Sequence, residues 1–510
     1  MENKVIIVGA GIAGLTAAIT LAQSGHKCIL ISNQASERAG SCMAEGGINA
    51  ALDSYGDGDT TENHYNDTCK NAHGVADLAG IRLLTEAAPS IVTLLHQIGV
   101  QFTLTEDNRI AQRYFGGQKF RRTAYAGDCT GKQVMTALID EARKYEAKGL
   151  IERLSHHSFT GLIKSQGRAA GCIIADTYTA ARQELMASAV IMATGGYHGL
   201  FGNTTGAKVD DGEATARLFA QGVAMGNLEF IQYHPTTFAN GSKRLLMTEA
   251  ARGEGGRLCI LRDGQPYYFM EDKYPELKNL MPRDVTAREI AAQPSQVYLD
   301  LTGLDRQIFE HKLKGLSEDC KIYLGLDPAR DLIPVSPGIH YFMGGIFVDT
   351  MHRTNITGLY AAGECASCYH GANRIGGNSL LGAAYGGRRA AQTALEELDG
   401  LENLDLDQVL EGGELDTPPA EKQAVAEILN KSMGISRNEE ALTQALQELE
   451  GMESPMALLA RASVMSALNR RESRGAHYRS DYTEENGAYD GATRTYYDGK
   501  EIGLEIHHFH

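Results

Sequence analysis

Nowhere in the 510-residue chain do about 18 apolar residues run together, so no membrane-spanning helix is expected. The first apolar strand, VIIVGAG, begins at Val5, and no cleavable leader is expected ahead of it. Cysteine is sparse and scattered. Of nine residues only Cys365 and Cys368 make a CxxC pair, with no CxxCH motif for haem and no cluster spaced for an iron–sulfur centre. Free thiols in a reducing cytoplasm are expected. An excess of basic residues is lacking too: 48 Lys and Arg stand against 64 Asp and Glu, a formal net charge of −16. That argues against nucleic acid or an anionic membrane as the main partner, but a small anion could still be held by a local cluster of cations. Internal repeats, low-complexity tracts and a second dinucleotide fingerprint are also missing. What is present, 43% hydrophobic and 22% charged residues, is ordinary for a globular chain too long for one core, so two or three domains are expected.

The N-terminal stretch KVIIVGAGIAGLTAAITLAQSGHKCILISNQ reads as an apolar strand, a glycine turn, an amphipathic helix and a second strand. This βαβ unit opens a doubly wound sheet. Two further apolar runs, ASAVIMATGG (187–196) and TGLYAAGE (357–364), end in glycine or an acid, which suggests one nucleotide domain assembled from distant segments. Between about 236 and 340 the texture changes to mixed polarity with tyrosines and charged turns, as in an inserted lid. From about 395 apolar residues recur at helical spacing, with the linker GGELDTPPAEK (412–422) between helical segments. The last stretch, turn-rich, suits a small hairpin or a tail.

Gly9, Gly11 and Gly14 form GxGxxG after a strand and at a helix start, where backbone N–H groups can approach a pyrophosphate. The acid that usually follows the second strand is missing, since LISNQ offers Ser32 and Asn33 instead. ATGG (193–196), Asp211 in VDDG and Glu364 in YAAGEC each place a turn or an acid where a cofactor hydroxyl could bind. Several separated segments meeting on one ligand favour a long FAD over NAD. His234, Thr248, His340 and Arg374 are donors flanked by glycine or proline turns, and Arg374 could grip a carboxylate with two parallel N–H groups.

In order along the chain stand AEGGINAA (44–51), FGGQKFRRTAYAGD (115–128), EFIQYHPT (229–236), TEAARGEGG (248–256), PRDVTARE (282–289), HYFMGG (340–345), HGANRIGGNSLL (370–381) and ESRGAHYRSDY (472–482). With these motifs the sequence resembles the flavoprotein subunits of succinate dehydrogenases and fumarate reductases over about residues 4–480. The resemblance implies an α/β architecture: a Rossmann-like FAD-binding domain (1–235 and 341–395), an inserted α+β capping domain (236–340), and a C-terminal helical domain with a tail (396–510). It implies FAD held by Gly9, Gly11, Gly14, Ser32, Ser41, Gly46, Gly47, Asp211, Glu364, Ser379 and Leu380. It implies a fumarate or succinate site in which His234 and Thr248 hold one carboxylate and Arg374, assisted by His340, holds the other, with His370 also facing the substrate. Arg283 would deliver the proton, relayed through Glu249 and Arg252. An iron–sulfur subunit, and a membrane anchor through partner subunits, would complete a complex on the cytoplasmic side.

Two departures refine this. Many members carry RSHT or RSHS, whose histidine bonds covalently to the flavin; here Arg38-Ala39-Gly40-Ser41 puts glycine at the linking position. Non-covalent FAD of lowered potential, favouring fumarate reduction, is therefore expected. The similar L-aspartate oxidases place a glutamate before the GG pair for the substrate's ammonium group, whereas Phe115 stands here. Aspartate oxidation is the alternative enzymatic reading. A non-catalytic FAD scaffold is another, against which the retention of Arg283, Glu249, Arg252 and Arg374 speaks. Cys365 and Cys368 are read as small buried residues rather than a redox pair, His507, His508 and His510 as a solvated tail rather than a metal tract, and Arg353 and Arg388 as structural.

Overall fold

The computed structural model describes residues 4–207, 209–241, 243–401 and 417–509. The start of the expected linker, 412–416, and His510 lie outside the described residues. Val5–Val8 is a run of β-branched residues buried on both faces, as a parallel strand covered by helices must be. It pairs in parallel with Cys28–Ser32 on one side and Ala189–Met192 on the other. Ile151–Ser155 and Leu359–Ala361 complete a five-stranded, all-parallel sheet drawn from widely separated segments. The helix Ile12–Gln23 lies between Thr130–Glu146 and Asn378–Glu397 and is apolar almost all round. Its close approach to Asn378–Glu397 depends on Gly387, where a Cβ would sit 2.1 Å from the Ala13 carbonyl oxygen.

One helix among the described residues, Leu78–Gln97, is long and apolar enough by length and composition to cross a membrane. Arg82 and Glu86 interrupt it, so no unbroken apolar run marks it in the sequence. Its stripe of Ile81, Leu84, Ala88, Ile91, Val92 and Leu95 is buried in the core around the parallel sheet, the place of a globular core helix.

Two long strands, Ile231–Asn240 and Ile333–Phe342, pair antiparallel and lead from the nucleotide-domain side into a six-stranded sheet. Both boundaries drawn from sequence, at 235/236 and 340/341, fall within this ribbon. Beyond it the cap has its own core, including Met247, Leu258, Phe269, Leu299, Leu313 and Ile333. The ribbon's register shifts between Gln232 and Tyr233 and again between His234 and Thr237. Such bulges re-aim side chains, and the two histidines expected at the substrate lie on either strand here, ring centroids 5.1 Å apart.

At the C-terminus three helices, Pro419–Ser432, Glu439–Leu449 and Pro455–Asn469, pack on one another. The last segment is a hairpin, Ala492–Tyr497 with Ile502–His507, whose first strand pairs with Met225–Gly226. It is pinned by Arg470, fully buried, which bonds Glu229 at 2.7 Å, Glu472 at 2.8 Å and Thr493 at 2.9 Å. His507 is thus a strand residue edge-on to Phe347, and no cluster able to hold a metal exists among the described residues.

The cap meets the nucleotide domain along a seam of acids. The Asp128 carboxylate accepts from the Gly315 backbone N–H, and Asp319 and Glu45 lie close by. Burial, then Asp319 and Asp128, push Glu45 up to about 8 from an ordinary 4.5. In the unfolded chain the group ionises near the ordinary value, so unfolding releases a proton anywhere between the two. Its opposition to folding is therefore absent below that window and grows as pH rises through it. Glu45→Gln should raise the thermal midpoint by about 2 °C or more at pH near 8 and leave it unchanged below the ordinary glutamate value. Equal shifts in calorimetric scans at both pH values would contradict this.

Candidate active site

One continuous cleft of about 850 Å³ runs from the N-terminal glycine turn to the paired histidines of the ribbon. Gly9 has φ +111°, and a Cβ there would lie 2.1 Å from the Ala193 carbonyl oxygen; one on Gly14 would lie 1.8 Å from that of Gly9. These two glycines hold the strand–helix turn shut. Gly11, by contrast, faces the cleft beside Ser41, whose hydroxyl accepts from the Ile12 N–H at 3.4 Å. The helix Ile12–Gln23 has no cap from its own N-cap residue and no acid in its first turn, so apart from the Ile12 N–H bonded to Ser41 its N-terminal donors and positive dipole end face the cleft. Asn378–Glu397 begins likewise uncapped, after Gly377 at φ +88°, with Ser379 and Leu380 on the cleft wall. Two helix N-termini that present backbone donors to one elongated cleft fit an anionic dinucleotide such as FAD.

Gly9, Gly11, Ser32, Ser41, Gly46, Gly47, Asp211, Glu364, Ser379 and Leu380 all line this cleft; Gly14 does not. Several are partly engaged. The Ser32 hydroxyl donates to the Gln34 carbonyl at 2.7 Å, and Glu364 accepts from the Phe342 N–H at 3.1 Å. Asp211 caps the helix Glu213–Ala220 through the Glu213 N–H at 3.0 Å. Its neighbour Asp210, not singled out from sequence, also lines the cleft. Its carboxyl is pushed up to about 7 by burial, against the pull of His198, with Glu364 and Asp211 adding to the rise. A Cβ on Gly40 would lie 2.5 Å from an Asp210 carboxylate oxygen, so a side chain at position 40 meets that acid. The doubled acid of VDDG was the only hint.

At the other end His234, Thr248, Glu249, Arg283, His340, Arg374 and Phe115 come together on the wall. Arg252 stands behind Glu249. Glu249, almost wholly buried, accepts from Arg283 Nε at 2.9 Å and Nη2 at 2.5 Å, and from the Gly116 N–H at 3.0 Å. Arg252 lies 3.4 Å from its other oxygen and donates to the Asn279 carbonyl at 2.7 Å. Burial alone would raise Glu249, but Arg283 and Arg252 outweigh it and hold the carboxyl below its usual value, ionised at neutral pH. Arg374 lies over the Tyr341 ring at 4.0 Å, and burial, then Arg283, push it down to about 9. Both histidines are held well below their ordinary value by burial and by Arg283, hence neutral. Nδ1 of His234 is tied to the Thr236 backbone while its Nε2 has no partner, and Nδ1 of His340 meets the Thr205 hydroxyl at 2.7 Å. Phe115 forms an apolar wall so close that a Cβ on Gly46 or Gly376 would come within 2.7 or 2.8 Å of its ring. Three arginines face one ionised glutamate here, which leaves two positive charges unmatched. That is the complement of a dicarboxylate dianion.

His370 differs from expectation. It is absent from the cleft wall and sits behind it, edge-on between Tyr341 and Tyr369 at 5.5 and 5.0 Å. Cys365 donates to the carbonyls of Met192 and Ala362, and burial raises both CxxC thiols, so neither is a ready thiolate. Arg353 forms partly exposed ion pairs with Glu397 and Asp349. Gln232, passed over in the sequence, proves central: its amide oxygen accepts from Arg283 and from Arg374, each at 2.9 Å. One glutamine in an otherwise unremarkable strand gave no signal.

The family profile described as FAD binding domain matches residues 4–380, and that of the fumarate reductase flavoprotein C-terminus matches 453–508. The succinate dehydrogenase flavoprotein subunit of Bacillus subtilis is 37% identical over 95% of this chain and 92% of its own length. L-aspartate oxidase of Caulobacter vibrioides is 36% identical, covering 98% of this chain and 97% of its own. A solved structure of mutant FrdA from Escherichia coli quinol fumarate reductase superposes with TM-score 0.87 at 28% identity, over 100% of this chain and 97% of that one. The FAD-shaped cleft and the matches at both ends of the chain lead to one conclusion: it belongs to the succinate dehydrogenase/fumarate reductase flavoprotein family, FAD-dependent oxidoreductases.

Proposed function

We propose that the chain reduces fumarate to succinate as the flavoprotein subunit of a larger electron-transfer assembly. The observation that carries this is the surplus of two positive charges around Arg374 and Arg283, buried beside an apolar wall. Arg374 grips one carboxylate with paired N–H groups, supported by His340; His234 and Thr248 hold the other. Held at both ends, the double bond is fixed in place, and positioning of this kind supplies much of a rate enhancement. Bound FAD supplies the hydride for one alkene carbon. Arg283 gives a proton to the other, and Glu249 and Arg252 return one to it. An ordinary arginine is a poor acid; what supports this role is that bonds to Glu249 and Gln232 hold Arg283 on the cleft wall beside His234 and Arg374. Phe115 offers an ammonium group no partner, which disfavours aspartate although an aspartate oxidase is among the relatives.

The chain carries no haem motif or iron–sulfur ligand set of its own, so electrons come from outside it. An iron–sulfur subunit on the cytoplasmic side, with membrane attachment through partners, fits relatives named as succinate dehydrogenase and quinol fumarate reductase subunits. Glycine at position 40 supports non-covalent FAD and a bias toward fumarate reduction.

Fumarate added anaerobically to the photoreduced protein should reoxidise the flavin rapidly. No reaction, together with oxidation of L-aspartate in air, would transfer the chain to the oxidases. Arg283→Lys should lower fumarate turnover by about 10²–10⁴-fold, the range for a lost general acid, while dicarboxylate binding persists; near-full turnover would remove Arg283 from the proton step. Acid precipitation should release all flavin into the supernatant, and yellow colour kept in the pellet would show a covalent link.

A further inference from the structure

The Gln232 side chain is wholly buried and uses every hydrogen-bonding site it has. Its oxygen accepts from Arg283 Nη1 and from Arg374 Nη2, each at 2.9 Å. Its nitrogen donates to the Asn373 side-chain oxygen at 2.8 Å and the Arg374 carbonyl at 2.7 Å. The two donor bonds fix which way the amide faces, so the oxygen and not the nitrogen meets the guanidinium groups. Asn373 is held in turn, donating to Asp284 at 2.7 Å, and Asp284 pairs with Arg288 at 3.0 Å on the same helix as Arg283. Three segments therefore meet at one amide: the ribbon strand, the loop carrying Asn373 and Arg374, and the cap helix Arg283–Ala291.

We propose that Gln232 is a positioning residue that sets the spacing between the carboxylate-holding Arg374 and the proton-delivering Arg283. Two guanidinium groups this close repel, and without a shared acceptor each would turn toward another partner. A neutral amide oxygen holds both without cancelling either charge, whereas a carboxylate there would consume one of the two surplus positive charges. The bonds through Asn373 and Asp284 tie this geometry to the docked cap, since Arg283 and Asp284 travel on one helix.

This inference rests on the dicarboxylate reading of the site. FAD-loaded wild-type protein is titrated with malonate, a non-reacting dicarboxylate, by flavin absorbance, and fumarate kcat and KM are measured across pH. The same is done for Gln232→Met and Gln232→Glu. Gln232→Met should weaken malonate and raise KM by about tenfold or more, and lower kcat by at least as much, because both arginines lose their shared acceptor. Gln232→Glu should bind and turn over more weakly still at neutral pH. It should regain binding as pH falls, because a protonated glutamate has the shape and acceptor of glutamine; a merely structural role would not give that pH profile. If Gln232→Met does not load FAD, Gln232→Glu at low pH carries the test alone. Variants within about twofold of wild type in all three quantities, or a Gln232→Glu profile parallel to wild type, would overturn the proposal. A wild-type protein that binds neither malonate nor fumarate would instead overturn the dicarboxylate reading beneath it.

Discussion

Three arginine side chains buried beside a single carboxylate set the terms for the rest of this molecule. Uncompensated buried charge is costly, by several kcal/mol for each ion taken out of water. The fold meets that cost with neutral acceptors: the Gln232 amide for Arg283 and Arg374, the Asn279 carbonyl for Arg252, and the Tyr341 ring face beneath Arg374. None of these removes charge. The site is thereby kept positive, the charge state that the proposed dicarboxylate would match. Neutral His234 and His340 follow from burial and the same field, since a fourth and a fifth cation would not survive there.

The other end of the cleft uses weaker means to the same end. Two helix N-termini present backbone donors to the cleft, so partial rather than full positive charges act there. This explains how a chain of net charge −16 can keep a locally positive cleft. The global charge acts at long range and is screened by salt, whereas a buried guanidinium or helix end acts within a few ångströms. Acids line the cleft as well, and Asp210 and Glu45 show what that does to them: burial and like-charged neighbours drive both toward the neutral form.

Much of this was legible before any coordinates. Glycines whose spacing serves a tight turn, apolar runs ending in glycine, and arginines set in family motifs all carry local signatures, and the parallel sheet, the cleft and its cations follow them. What stayed hidden depends on which side chain faces which across the fold. Nothing in IQYH tells that Gln232 meets two arginines from segments more than fifty and a hundred residues away. Asp210 and Asp211 are adjacent and alike; only backbone geometry decides that Asp211 accepts from the first N–H of a helix while the Asp210 carboxyl on the cleft wall is pushed toward its neutral form. His370 sits in the right motif, but the turn of the chain at Gly371 and the two tyrosines beside it place its ring behind the wall. Leu78–Gln97 shows the converse, a helix whose hydropathy suits a membrane and whose stripe lies in the core.

The distribution of site residues over the architecture has a consequence for binding. Thr248, Glu249, Arg252 and Arg283 belong to the cap; Phe115, Asn373 and Arg374 to the nucleotide-domain side; Gln232, His234 and His340 to the bulged ribbon that joins them. Under the proposed function, a dianion gripped by Arg374 at one end and by Thr248 at the other has its full set of contacts only while cap and nucleotide domain are docked. Its affinity for that arrangement exceeds its affinity for any other, and a ligand shifts an equilibrium by that difference and no more. At the same boundary Asp128 accepts from the Gly315 N–H, while burial and like-charged neighbours drive Glu45 and Asp319 toward the neutral form, so the joint relies on hydrogen bonding rather than on charge.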